Sequence, residues 1–85
     1  MIQEVLGRIL ASNPVDREKL INLLRDKELY DDDKIIFDAI KSLPSTFTYI
    51  DLYLILKKDF RLIAKCMELD NEATRRIMKH QRKWP

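Results

Sequence analysis

The chain has 85 residues, 46% apolar and 35% charged, with one Cys and a formal net charge of +2. That length supports one domain, residues 1–85, around a single modest core, and leaves no room for a second. The lone cysteine excludes an internal disulfide framework and a multi-cysteine metal site. With one Gly and three Pro, tight β-turns are hard to supply and an all-α chain is favoured.

The charge is unevenly spread. Residues 61–85 carry seven Lys/Arg against three acids, whereas residues 1–60 carry nine against eleven. A basic end of this kind suits a polyanion. The N-terminal stretch contains Glu4 and Arg8, unlike an uninterrupted signal-peptide core. The longest uncharged apolar run, residues 52–56, is far below the ~18 residues of a membrane span. The expectation is a cytoplasmic or nuclear protein, neither secreted nor inserted in a membrane.

Taken in order, residues 2–10 read as a helix, because Ile2, Val5, Leu6, Ile9 and Leu10 follow the helical repeat. Asn13 then suits an N-cap, with Pro14 at the first helical position and Asp16 near the positive end of the dipole. This second helix runs to about Lys27 and turns Leu20, Leu23 and Leu24 inward. Asp31, Asp32 and Asp33 precede a third helix as N-capping acids, with Ile36, Ala39, Ile40 and Leu43 on one face. Pro44 stops it at Leu43.

Residues 47–67, FTYIDLYLILKKDFRLIAKCM, hold four of the seven aromatic residues, and the rest of the chain is expected to pack around them. Thr48 and Asp51 are spaced as a capping box, and Phe47 is placed to staple onto Leu52. A strand over 46–50 is the alternative, with no evident partner strand. Tyr49, Tyr53, Leu56, Phe60, Ile63 and Met67 share one helical face. A continuous helix would put Asp59 inside that apolar arc, at a cost. A break there lets Asp59 cap a new helix at Phe60, giving helices over about 48–57 and 60–68. A turn at Leu69-Asp70-Asn71 and a last helix over about 71–83 complete a compact bundle of five or six short helices.

The segment IAKCMELDNEATRRIMK, within residues 60–79, resembles the helix-turn-helix family of DNA-binding proteins. The resemblance implies that Ala64 sits at a helix crossing, that Ile63, Met67, Leu69 and Ile77 are its apolar positions, and that Asp70 or Asn71 opens a recognition helix. Glu68 stands where the family commonly has a turn Gly, and Thr74 where it has a β-branched apolar residue. Arg75 and Arg76 would then face guanine edges or phosphates, with His80, Arg82 and Lys83 extending the contact. Apart from any family, Arg75, Arg76, Lys79, Arg82 and Lys83 put five bases on one helical face, with Trp84 available to stack. The bland alternative is a solvated helix C-terminus favoured by the dipole, with Trp84 closing the core.

Other constellations point to structure more than chemistry. The three consecutive aspartates lack the alternating ligands, Gly and distal Glu of a calcium loop. Cys66 reads as a buried thiol, with the only histidine, His80, on a different expected helix and no evident route to it, and no glycine-rich phosphate loop exists. The reading is therefore not an enzyme and needs no cofactor. It is a small nucleic-acid-binding regulatory module acting on DNA or RNA, of unspecified oligomeric state, through Arg75, Arg76, Lys79, Arg82 and Lys83. The alternative is a protein-interaction module, an adaptor, inhibitor or regulator of a larger complex. In size and helix count the chain also resembles death-fold adaptor domains. That alternative would use the acidic residues Asp26, Glu28 and Asp31–Asp33, or an exposed part of the 49–54 surface.

Overall fold

Backbone hydrogen bonding resolves the chain into α1 (Ile2–Ala11), α2 (Pro14–Leu24), α3 (Asp31–Ser42), α4 (Tyr49–Ile55) and α5 (Phe60–Gln81). The computed structural model describes residues 2–81, with side chains to Lys79. Among them no strand occurs, so the fold is an all-α bundle and the strand alternative over 46–50 is not realised.

Most of the expected boundary chemistry is present. Asn13 accepts the Asp16 amide at 2.9 Å with Pro14 opening α2. Leu43 ends α3 just before Pro44. Thr48 and Asp51 form a reciprocal capping box on α4. Asp59 Oδ1 accepts from the amides of Arg61 (3.0 Å) and Leu62 (3.3 Å), so the chain does break before Phe60 and restarts with a cap. The α3 cap differs from expectation. Tyr30 occupies the N-cap without a side-chain hydrogen bond, and the three aspartates lie inside the first turn. There they complement the dipole and remain available to partners on α5.

The organising pair is α1 against α5, rather than the 47–67 stretch. Glu4 pairs with Arg76, while Gly7 abuts Leu69 and Ala73, so the two helices run antiparallel. Helix α1 also touches α2 and α3. The fully buried side chains Leu6, Ile9, Ile36, Ile40, Leu52 and Cys66 come from α1, α3, α4 and α5. Helix α2 contributes only Ile21 and Leu24 as buried residues, with Leu20 partly covered and Leu23 turned outward.

A guanidinium holds α2 and the 44–48 connection to this core. Arg17 donates from Nε to Ile9 O (2.9 Å) and from Nη2 to Leu10 O (3.2 Å), satisfying carbonyls left open at the end of α1. Its Nη1 donates to Ser45 O and Phe47 O, both at 2.9 Å, and the group lies 4.2 Å from the Phe47 ring centroid.

The expected turn at Leu69-Asp70-Asn71 does not form: α5 is continuous through it. Leu69 is buried against α1, and Asp70 accepts from Tyr49 Oη at 2.5 Å and from Thr74 Oγ1 at 3.2 Å. These contacts lock the segment as helix, and no Gly or Pro is present there to oppose it. At ~1.5 Å per residue, α5 is about 33 Å long. Beyond Ala73 its side chains through Lys79 are exposed, and Arg76 still pairs with Glu4 of α1. The principal extents are 44 × 27 × 23 Å.

Candidate functional site

Arg75, Arg76 and Lys79 lie near the C-terminal end of α5, all exposed. Arg76 Nη1 is 3.2 Å from Glu4 Oε1, so one of the three is partly neutralised by α1. Arg82, Lys83 and Trp84, and the side chain of His80, lie outside the described residues. The described bases are therefore brought together, on one uninterrupted rod and not on a recognition helix set off by a turn. Ala64, expected at a helix crossing, is exposed. The crossing is instead at Gly7, Leu69 and Ala73, where a carbonyl of α5 comes close to the α1 backbone.

The first half of α5 carries bases of a different character. Arg61 Nη1 is 2.6 Å from Asp32 Oδ2, and Lys65 Nζ lies 3.5 Å from Asp33 Oδ1 and 3.9 Å from Asp32 Oδ2. The hydrogen bond from Arg61 holds the Asp32 carboxyl below the usual carboxylate range. Asp33 Oδ1 is buried and accepts no hydrogen bond; at 3.5 Å its approach to Lys65 is electrostatic only. These acids thus tie the start of α3 to α5. Among the described residues, no group of three or more His, Cys, Asp or Glu is placed to hold a metal ion.

Cys66 is fully buried, and burial pushes its thiol up to about 11. At neutral pH it is a packed apolar group, and the thiolate that nucleophilic chemistry needs is not populated. Tyr49 is raised far above the ordinary phenol value, first by burial and then by its bond to Asp70. Both groups face the α4–α5 contact and serve the fold.

The outward side of α4 and of the first half of α5 is different. Phe60 is 76% exposed, Ile50 72%, Leu54 57% and Met67 52%. The Phe60 ring packs tilted at 51° against the partly buried Tyr53 with centroids 5.5 Å apart, bridging the two helices. Ala64 and Asn71, also exposed, extend the uncharged ridge along α5. On the other flank of α4, Ile35 and Ile55 edge a shallow recess floored by Ala39, Leu56 and Leu62.

The sequence places Phe60 and Met67 on the apolar face, widened by Leu62 and Cys66; Leu62, Cys66, Leu69 and Ala73 are buried as that wider face allows, whereas Phe60 and Met67 turn outward. The exposed part of the 49–54 surface, named above for a protein partner, is Ile50 and Leu54. Among the described residues no helix is long and apolar enough to cross a membrane. No protein-family model, curated protein or solved structure matches this chain.

Proposed function

We propose that this chain is a helical protein–protein interaction module. It works by binding, without catalysis or cofactor, in the cytoplasm or nucleus, and takes its partner on the outward face of α4 and the first half of α5. The observation that carries the reading is Phe60, an aromatic ring 76% exposed and packed tilted against Tyr53 of α4, the helix that also exposes Ile50 and Leu54. Large apolar side chains scattered singly on a surface need no explanation, whereas contiguous ones mark interaction sites. Aromatic anchors at the centre of a patch commonly dominate binding energy.

The test is a photo-crosslinking residue placed at Phe60 and, as a control, at Glu18 on α2, in cells that make the protein. A discrete adduct at Phe60, lost on Leu54→Asp and absent at Glu18, is the expected result. Equal labelling at both positions would overturn the reading.

A second reading, polyanion binding, is supported by Arg75 and Lys79, which are exposed and in no ion pair among the described residues. In this version the C-terminal part of α5, with Arg76 and with Arg82 and Lys83 following in the sequence, clamps phosphates of DNA or RNA without a helix-turn-helix crossing. Asp70 and Glu72 lie on the same helix just before these bases and oppose it. A fluorescence-anisotropy titration against random duplex and single-stranded oligonucleotides at two salt concentrations decides it. Steep salt dependence, with collapse in Arg75→Ala/Lys79→Ala, is expected if it holds, and no binding at low salt eliminates it.

A further inference from the structure

Resting on the interaction reading above, we infer that the partner on the α4–α5 face is an acidic peptide segment, with carboxylates set beside a large apolar anchor. What points to it is the charge left unanswered next to Phe60. Lys57 and Lys58, in the link just before that ring, are exposed and take part in no ion pair among the described residues. The acids nearest in sequence are engaged elsewhere. Asp51 Oδ2 accepts from the Thr48 amide at 2.9 Å, and Asp59 Oδ1 accepts from the amides of Arg61 and Leu62. Both carboxylates thereby face the positive ends of helix dipoles. Arg61 is matched by Asp32. Glu68, the next exposed acid along α5, lies about 12 Å beyond Phe60 at the helical rise.

The two lysines also sit between two apolar areas. Lys57 borders the recess edged by Ile35 and Ile55, and the Lys58 amide donates to Tyr53 O at 2.9 Å, beside the Tyr53–Phe60 contact. Both residues hold a left-handed backbone, with φ of 58° and 60°. Glycine would adopt that conformation with less strain, and strain of this kind clusters at binding sites. Lysine there keeps a cation beside exposed apolar groups, where complementary charge sets partner choice and association rate. A nucleic acid fits this face less well. Ile50 and Leu54 offer a base no ring to stack on, whereas the apolar side chains of a peptide can pack on them and on Phe60 together.

The test is a selection from displayed random linear peptides with the full chain as bait. Enriched sequences should carry several Asp or Glu beside an aromatic or branched apolar residue. Their affinity, read by fluorescence anisotropy, should fall about tenfold in Leu54→Asp. It should fall about tenfold again in Lys57→Gln/Lys58→Gln, by less as salt is raised. Helical circular dichroism should be unchanged in both. Val15→Asp, comparably exposed on α2, and Arg75→Ala/Lys79→Ala should leave binding as it was. Peptides that depend on Leu54 but are neutral or basic, or that ignore the lysine substitutions, overturn the inference while the interaction reading stands. If the selection yields no peptide that Leu54→Asp weakens, both fall. A random single-stranded oligonucleotide whose binding Phe60→Ala abolishes would put a nucleic acid on this face and overturn the inference as well.

Discussion

Gly7 of α1 lies against the backbone of Leu69 in α5 so closely that a Cβ added to Gly7 would sit 2.4 Å from the Leu69 carbonyl oxygen. The same Cβ would meet the Ala73 Cβ at 3.3 Å. The obstacle at 2.4 Å is main chain, which has no rotamer by which to retreat, so α1 and α5 would have to move apart. In an isolated helix Gly→Ala gains ~1 kcal/mol, but overpacking of this kind costs about 1–3 kcal/mol. Gly7→Ala should therefore lower the urea midpoint, against its propensity. A rise would mean that the helices do not approach this closely.

Arg17 is the second fixed point. Its guanidinium serves four carbonyls from α1 and the 44–48 connection at once, and burial lowers its pKa without threatening its charge. Hydrogen bonds to charged groups are worth ~1.5–3 kcal/mol each, and carbonyls left without donors add a penalty. Arg17→Met should cost about 2–4 kcal/mol in chemical denaturation. Arg17→Lys should recover only a minor part, because an ammonium lacks the planar fork that reaches separated oxygens. Full recovery by lysine would show that charge, not geometry, does the holding.

Local signals were legible in the sequence, and long-range ones largely were not. The caps at Asn13, Thr48 and Asp59 depend on a few neighbouring residues, and all three form as read. Leu69-Asp70-Asn71 looked like a turn because Asp and Asn favour turns locally. Burial of Leu69 on Gly7 and the Tyr49–Asp70 bond, made 21 residues apart in sequence, override that preference. The expected helix-turn-helix geometry went with the turn. One signal did point to the true crossing: a lone glycine inside a strongly amphipathic helix usually has a packing reason. Arg17 offered no comparable sign, since an exposed-looking arginine in α2 reads like any surface base. The outward turn of Phe60 follows from the left-handed residues before it, which periodicity over 47–67 does not register.

Those residues carry a testable strain. Lys57 and Lys58 have φ of 58° and 60°, and their amides bond back to Leu54 O and Tyr53 O, closing α4 in the pattern that favours Gly after a helix. A non-Gly residue held in this region costs roughly 1 kcal/mol or more. Lys57→Gly should raise the melting temperature, by about 1 kcal/mol of stability after allowing for the looser unfolded chain. Lys57→Val should lower it, as a β-branched residue tolerates positive φ least. The opposite order would place a different backbone conformation at the α4–α5 link.

Cys66 should make stability fall in alkali. Burial raises its thiol from 9.0 to about 11, so the unfolded chain ionises first and is favoured as the pH climbs. A folded pKa above the unfolded one means that the contribution is fully present below about pH 9 and is lost as pH rises through about 11. At ~1.4 kcal/mol per pH unit, the loss approaches about 3 kcal/mol over that window. Tyr49 adds its own alkaline loss in the same direction, but it is common to wild type and to Cys66→Ala. The stability gap between those two proteins, set at neutral pH by the cavity, should therefore narrow steadily from pH 9 to 11. A gap that stays constant would mean that Cys66 ionises as freely in the folded chain as in the unfolded one. In that case the thiol would not be sealed between α4 and α5.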